Sequence, residues 1–163
     1  MYDIIIFVLS IYFLWPLNKY TAIYILGYII STIVNAVLKA ILREPSPQQN
    51  KTFIKILETN GKNVEITSYG MPSMTAQNSA YSFAYSFLVL TNNMEYISKF
   101  QNIFWIFITI IVGGFGYSII KNKNTIAQII VGLLVGILIG FVVYRVGKNK
   151  ITLTEKKNET NFL

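Results

Sequence analysis

The sequence predicts an all-α membrane protein: a polytopic bundle of about five transmembrane helices, with a small polar loop or hairpin over one membrane face. Three observations lead to this fold class. Hydrophobic residues make up 53% of the chain and charged residues only 13%, which is far from the balance of a soluble domain. The apolar residues form long blocks that approach the roughly 20 residues a spanning helix needs. Polar segments separate these blocks.

Five apolar blocks follow one another, and each predicts one helix. The first, 4–17, ends at a Trp-Pro pair, where tryptophan suits the membrane interface and proline suits a helix end. The other four blocks are 20–42, 76–90, 103–120 and 126–144. We expect a single membrane domain over residues 1–145, with a polar loop at 43–75. A basic tail at 146–163 follows, and we expect it to be mobile.

The polar loop contains a turn signal. Asn60 and Gly61 lie between the partly alternating segments 52–58 and 63–69. Asn-Gly favours a tight hairpin because both turn positions adopt positive φ. We therefore expect a small hairpin in this loop.

Composition excludes several kinds of chemistry. The chain has no cysteine and no histidine, so it lacks disulfides, thiolate metal sites and the usual general base. We expect no metal and no cofactor. The net charge of +7 is best explained by lysine and arginine in loops flanking a membrane; the alternative is attraction to anionic lipid headgroups. Membrane lipids are the expected partners. Nucleic acid is not an expected partner, because no soluble basic module is present.

The charge pattern leaves the membrane orientation open. Lysine and arginine occur on both predicted sides, although the cluster after the fifth block favours a cytoplasmic tail. In that block Gly132, Gly136 and Gly140 line one helix face. Small residues at this spacing let helices approach closely. We expect packing within the chain rather than dimerisation.

Three polar clusters lie at helix ends on one predicted side of the membrane. They occupy residues 39–47, 69–77 and 117–128. Each alone is compatible with an ordinary loop. Their order and shared side suggest a common site.

The first two clusters resemble motifs of the type 2 phosphatidic acid phosphatase and vanadium haloperoxidase superfamily, most of all its dolichyl diphosphatase branch. The first family motif is Lys, six residues, then Arg-Pro; here Lys39 is followed by Ser46 and Pro47. The second is Tyr-Gly-Met-Pro-Ser-x-His in the dolichyl branch. Residues 69–74 read Tyr-Gly-Met-Pro-Ser-Met, and Thr75 stands where the histidine belongs.

The third cluster resembles the remaining motif, Ser-Arg, five residues, then His. Ser118 stands at the arginine position and Asn124 at the histidine position. Thr125, Gln128 and Gly132 fit the residues that follow in the dolichyl branch. The resemblance covers roughly residues 20–145, and the correct spacing of all three clusters makes it more specific than one motif.

The resemblance implies a metal-free mechanism in which one histidine attacks phosphorus, another protonates the leaving oxygen, and Lys and Arg residues bind the phosphate. At these positions the chain has Lys39, Ser46, Thr75, Ser118 and Asn124. Only Lys39 keeps the family residue and its charge. The attacking histidine, the protonating histidine and both arginines are replaced, so the catalytic set is not intact. Serine lacks the charge and the forked donors of arginine.

Neighbouring residues offer a substitute phosphate site. Arg43 shares a helix face with Lys39, and Lys121 and Lys123 flank Asn124. With Ser73 in the second motif, they could bind a lipid phosphate. The alternative is that these are ordinary interfacial charges.

Three functional hypotheses follow. The leading one is a pseudo-phosphatase that binds lipid phosphates or acts by membrane interaction. The second is an active lipid (di)phosphate phosphohydrolase with a rearranged site. The third is an unrelated membrane assembly or channel protein with a chance motif match. The resemblance implies a multi-pass protein of the endoplasmic reticulum or another internal membrane.

Overall fold

The computed structural model describes residues 2–44, 58–59, 62–63, 69–92, 97–121 and 123–160. Within these residues it has five helices and one minimal hairpin. The helices are α1 (Tyr2–Leu14), α2 (Asn18–Leu42), α3 (Met74–Thr91), α4 (Ile97–Ile120) and α5 (Ile126–Thr160). The strands are β1 (Glu58–Thr59) and β2 (Lys62–Asn63). The predicted all-helical bundle is confirmed.

Two of these helices are long and apolar enough to cross a membrane. They are α2 over Asn18–Leu42 and α5 over Ile126–Thr154. Only 17% and 28% of their most apolar windows are buried inside the protein, so neither resembles the core helix of a soluble domain. Shorter apolar segments, Ile4–Leu14 and Phe104–Ile120, lie in α1 and α4. The exposed apolar surface of this bundle is suited to contact with lipid.

Helix α5 is longer than its apolar block. The sequence predicts a helix that ends at Tyr144, whereas the structure continues it to Thr160. No proline interrupts this stretch. The hydroxyls of Thr152 and Thr154 bond to carbonyls one turn earlier, at 3.0 and 2.9 Å. The basic segment is therefore helical up to Thr160, rather than starting as a separate tail.

Helix α3 lies at the centre of the bundle. It packs against each of the other four helices, and most extensively against α5. A Cβ on Gly132 would lie 2.7 Å from the carbonyl oxygen of Ser73, and one on Gly136 would collide with that of Gln77. The glycine face of α5 therefore lets the two helix backbones approach. The expected packing within the chain is confirmed.

Tyrosines form the core between α2, α3 and α5. The rings of Tyr24 and Tyr81 stack with centroids 5.6 Å apart. The Tyr81 hydroxyl donates to the Tyr24 carbonyl at 2.8 Å, and the Tyr85 hydroxyl donates to the Tyr20 carbonyl at 2.9 Å. These bonds satisfy polar groups that would be costly to bury unpaired.

The hairpin forms at the predicted turn. Its strands pair antiparallel, with Glu58 opposite Asn63 and Thr59 opposite Lys62. This register encloses Asn60 and Gly61, so the position of the hairpin is confirmed. The remainder of the predicted strands, 52–57 and 64–68, lies outside the described residues.

Candidate functional site at the motif junction

The three polar clusters meet at one end of the bundle. Glu44, from the first cluster, accepts a bond from the Gly70 amide on its carbonyl at 2.8 Å. Its carboxylate accepts a bond from Gln128 Nε2 at 3.3 Å. The Ser73 amide donates to the Gln128 carbonyl at 3.1 Å. These bonds join the end of α2 to the starts of α3 and α5, and we call this meeting point the motif junction.

The second cluster begins helix α3. Ser73 is its N-cap, and the hydroxyl accepts a bond from the Ala76 amide at 3.5 Å. The side chain is 3% exposed, so its main role is to satisfy a helix end. The preceding Met71–Pro72 peptide bond is cis. Thr75, which the sequence resemblance places at the histidine position, is half-buried in the first turn.

The third cluster supplies the start of helix α5. The Thr125 amide donates to Gln128 Oε1 at 3.1 Å, and the Gln128 amide donates to Thr125 Oγ1 at 3.2 Å. This reciprocal pair is a capping box. Gln128 is fully buried, so the same side chain caps α5 and binds Glu44. The sequence indicates Gln128 only as a match to the dolichyl branch, and no local pattern predicts that its side chain bonds to Glu44.

The two residues that the sequence resemblance places at the third motif's charged positions bond to each other. Asn124 Nδ2 donates to Ser118 Oγ at 2.8 Å. Ser118 lies near the end of α4, and Asn124 lies in the turn before α5. Both side chains are half-buried. The pair links α4 to the turn with two uncharged groups.

The first cluster contains Lys39, the one charged residue that the sequence resemblance predicts to match a family motif. Lys39 lies half-buried in the last turn of α2. Its ammonium makes no hydrogen bond or ion pair within the described part of the chain. Ser46, which the sequence resemblance places at the arginine position, lies outside the described residues.

Three further cations surround the motif junction at exposed positions. Arg43 ends α2 with a left-handed φ of 50°, and its Nε donates to the Ala40 carbonyl at 3.2 Å. Lys121 and Lys123 are exposed in the α4–α5 turn, and the Lys123 ammonium lies 5.3 Å from the centre of the Tyr117 ring. The bundle end therefore carries positive charge.

A buried amide network behind the second motif was not predicted. Asn35 Nδ2 donates to Gln77 Oε1 at 2.8 Å, and Gln77 Nε2 donates to the Ser31 carbonyl at 2.7 Å. Ser31 Oγ donates to Asn78 Oδ1 at 2.9 Å. An amide such as that of Asn35 would be costly in contact with lipid, and here it is bonded inside the bundle. Its partners required the register of α2 against α3, which no local pattern reveals.

Metal-binding groups are scarce in the described part of the chain. No group of three or more His, Cys, Asp or Glu residues there could hold a metal ion. The motif junction instead offers amides, hydroxyls, one carboxylate and lysine or arginine side chains.

Comparison with known proteins identifies the fold family. The family model of the PAP2 superfamily, the type 2 phosphatidic acid phosphatases, matches residues 20–152. No curated protein and no solved structure matches the chain significantly. The match covers most of the membrane core, which removes the hypothesis of an unrelated assembly or channel protein. The chain is a membrane protein and belongs to the PAP2 superfamily.

Proposed function

We propose that this chain is a pseudo-phosphatase of the PAP2 superfamily, closest to its dolichyl diphosphatase branch. It keeps the helical scaffold and has lost catalysis. It acts by binding lipid phosphates or through other membrane interactions. The sequence resemblance and the chemistry of the motif junction support this proposal.

The hydrogen bond between Asn124 and Ser118 carries the proposal. In working relatives, the resemblance implies a nucleophilic histidine and a phosphate-binding arginine at these positions. Here an amide and a hydroxyl satisfy each other at 2.8 Å. An amide does not attack phosphorus, and the chain has no histidine anywhere. Loss of a nucleophile and its proton partner together costs many orders of magnitude in rate.

Phosphate binding is supported by the charge at the motif junction. Lys39, Arg43, Lys121 and Lys123 lie in the elements that meet or flank it. Helices α3 and α5 both begin there, and neither has an acidic residue in its first turn. Helix N-termini favour anions because their backbone N–H groups carry partial positive charge.

The proposed setting is an internal membrane crossed several times by the chain. The endoplasmic reticulum is the expected organelle if the resemblance to dolichyl diphosphatases holds. The motif junction then faces one membrane surface, where a lipid phosphate headgroup could reach it. Membrane lipids are the proposed partners, and nucleic acid is not.

A phosphate-release assay tests the loss of catalysis. The purified protein in lipid nanodiscs is incubated with a polyprenyl diphosphate or with phosphatidic acid, with and without vanadate. We expect no vanadate-sensitive release. Turnover that disappears in the Lys39→Ala variant would overturn the proposal.

A vesicle-binding assay tests the retained function. We expect the protein to bind vesicles that contain phosphatidic acid more strongly than vesicles of phosphatidylcholine alone. The Lys39→Gln variant should show a smaller difference between the two. Lys19→Gln is the matched control, because it removes the same charge from the opposite end of α2. Equal effects of the two variants would show that net charge alone explains the binding.

The second candidate function is hydrolysis by a rearranged site. The observation in its favour is the Glu44 carboxylate, which contacts Gln128 at the motif junction. A carboxylate there could act as a base, and Arg43, Lys121 and Lys123 could stabilise the phosphate. This candidate predicts that Arg43→Ala abolishes a measurable turnover in the wild-type protein.

A further inference from the structure

A groove opens between helices α2 and α5. It has a volume of about 570 Å³, within the range of about 300–1,000 Å³ typical of small-molecule sites. Its walls are almost entirely apolar. Residues along its length include Ile23, Gly27, Ile30, Leu138, Val142 and Lys150.

The groove walls face outward rather than into the bundle. Leu138 is 64% exposed and Val142 is 56% exposed. At Gly27, an added Cβ would collide with the Tyr81 hydroxyl, so the glycine lets α2 pack closely against the core at the floor of the groove. Within the described part of the chain, no other helix covers it. In a membrane, such a surface is filled by lipid.

The groove lies away from the motif junction. On α2 it uses residues 23–30, whereas Lys39 is in the last turn. The nine residues from Ile30 to Lys39 correspond to about 14 Å along the helix axis. On α5 the groove runs from Leu138 to Lys150, about 18 Å of helix. That length is close to one leaflet of a hydrocarbon core about 30 Å thick.

One end of the groove carries a cation. Lys150 lines it beyond the apolar block of α5. Two neighbouring cations are directed to other partners: Arg145 lies 5.3 Å from the centre of the Phe141 ring, and Lys148 Nζ bonds to Asn92 Oδ1 at 3.4 Å. The Lys150 ammonium has no hydrogen bond or ion pair with any described residue. Its charge is therefore available at the polar end of an apolar channel.

We propose that this groove binds one anionic glycerophospholipid, in the leaflet opposite the motif junction. One acyl chain lies between α2 and α5, and the headgroup phosphate pairs with Lys150. An apolar channel of one-leaflet length with a single cation at its membrane-surface end matches the shape and charge of such a lipid. No bond is made or broken. This site is independent of the proposed function at the motif junction.

Photo-crosslinking in nanodiscs tests the proposal. The full chain is reconstituted in phosphatidylcholine that contains a trace of phosphatidylglycerol bearing a photoreactive acyl chain. A parallel sample carries photoreactive phosphatidylcholine instead. Labelled peptides are mapped by mass spectrometry. We expect phosphatidylglycerol to label residues 138–150 about fivefold more than phosphatidylcholine, since a lysine near an anionic headgroup contributes about 1 kcal/mol.

Two pairs of variants separate charge from groove shape. Lys150→Gln should bring labelling by the two lipids to similar levels, whereas Lys19→Gln, also a lysine near that membrane surface, should not. Val142→Trp should fill the groove and reduce labelling by both lipids. Leu134→Trp is its control, since Leu134 is 58% exposed on α5 and does not line the groove.

Three outcomes would overturn the proposal. They are equal labelling by both lipids in the wild type, a preference that survives Lys150→Gln, and labelling of residues 138–150 that Val142→Trp does not reduce. Lys39→Gln should leave the preference unchanged. A preference lost in that variant would assign the lipid to the motif junction instead.

Discussion

Asn124 donates a hydrogen bond from Nδ2 to Ser118 Oγ across 2.8 Å, and this bond joins the end of α4 to the turn before α5. Both residues are uncharged and half-buried. A histidine and an arginine at these positions would need anionic or solvent partners to be buried at low cost. The amide and hydroxyl instead satisfy each other.

The first prediction is that catalysis can be restored by substitution. A variant combining Ser46→Arg, Thr75→His, Ser118→Arg and Asn124→His should release phosphate from phosphatidic acid or a polyprenyl diphosphate. We expect a vanadate-sensitive rate at least about a hundredfold above wild type, because a positioned acid–base group alone contributes about that much. Release of inorganic phosphate is the measurement.

The control for restoration is the same variant with Asn124 retained. It should be inactive, because the attacking imidazole is absent. A restored variant that folds with the wild-type Tm but hydrolyses nothing would show that these residues are not aligned with the family motifs.

The second prediction concerns the contact between α3 and α5. Gly136→Ala should destabilise the protein, because the added Cβ collides with the Gln77 carbonyl oxygen. Overpacking of this kind costs about 2 kcal/mol, or roughly 4–8 °C in Tm for a chain of this size. Thermal unfolding in detergent micelles measures the shift.

Gly113→Ala is the matched control for that substitution. Gly113 lies within α4, and an added Cβ there would meet nothing within 4 Å. Alanine is the better helix former by about 1 kcal/mol, so this variant should be neutral or slightly stabilised. A similar fall in Tm for both variants would show that the contact with α3 does not determine the effect.

The sequence predicted those features that depend on local composition. Each apolar block became a helix, because a run of apolar residues without proline favours a membrane helix whatever its neighbours are. Asn60-Gly61 marked the hairpin for a similar reason. Gly132, Gly136 and Gly140 predicted close helix packing, although only the structure identified α3 as the partner.

Features that depend on the relative register of two helices could not be predicted. The bond between Asn35 and Gln77 joins residues 42 positions apart, and no pattern within either helix specifies that pairing. The bond between Glu44 and Gln128 has the same origin across 84 positions. The extension of α5 past Tyr144 does not follow from the apolar pattern, because that pattern ends where the helix leaves the membrane. Polar residues with good helix propensity continue the helix beyond that point.

The third prediction concerns Gln128 at the motif junction. Gln128→Ala should remove the bond from the Thr125 amide to Oε1, which is one half of the capping box of α5, and the bond to Glu44. Loss of the first bond costs about 1 kcal/mol, and loss of the bond to the charged carboxylate adds about 1.5 kcal/mol. We expect a clear fall in Tm in detergent micelles.

Thr152→Ala is the control for the Gln128 variant. Its hydroxyl bonds to the Lys148 carbonyl in its own helix, and the residue is exposed. Its free energy of unfolding should change by no more than about 0.5 kcal/mol, the effect of an ordinary surface substitution. Its Tm should therefore stay close to that of the wild type. An unchanged Tm for Gln128→Ala would mean that water replaces both bonds and that the motif junction is not held by this side chain.

The fourth prediction is that Asn35 and Gln77 stabilise the bundle as a pair. Asn35→Leu and Gln77→Leu each leave a buried partner unsatisfied, at a cost of about 1–3 kcal/mol. The double variant removes both amides, so neither is left unpaired by the loss of the other. Its free-energy cost should therefore be smaller than the sum of the two single costs by about 1 kcal/mol, the scale of interhelical hydrogen bonds in membranes.

A double-mutant cycle on the free energy of unfolding measures this coupling. Thr109→Val serves as a reference, because its hydroxyl bonds within α4. Strict additivity would instead indicate that the two amides act independently, through the Pro72 and Ser31 carbonyls that they also bind.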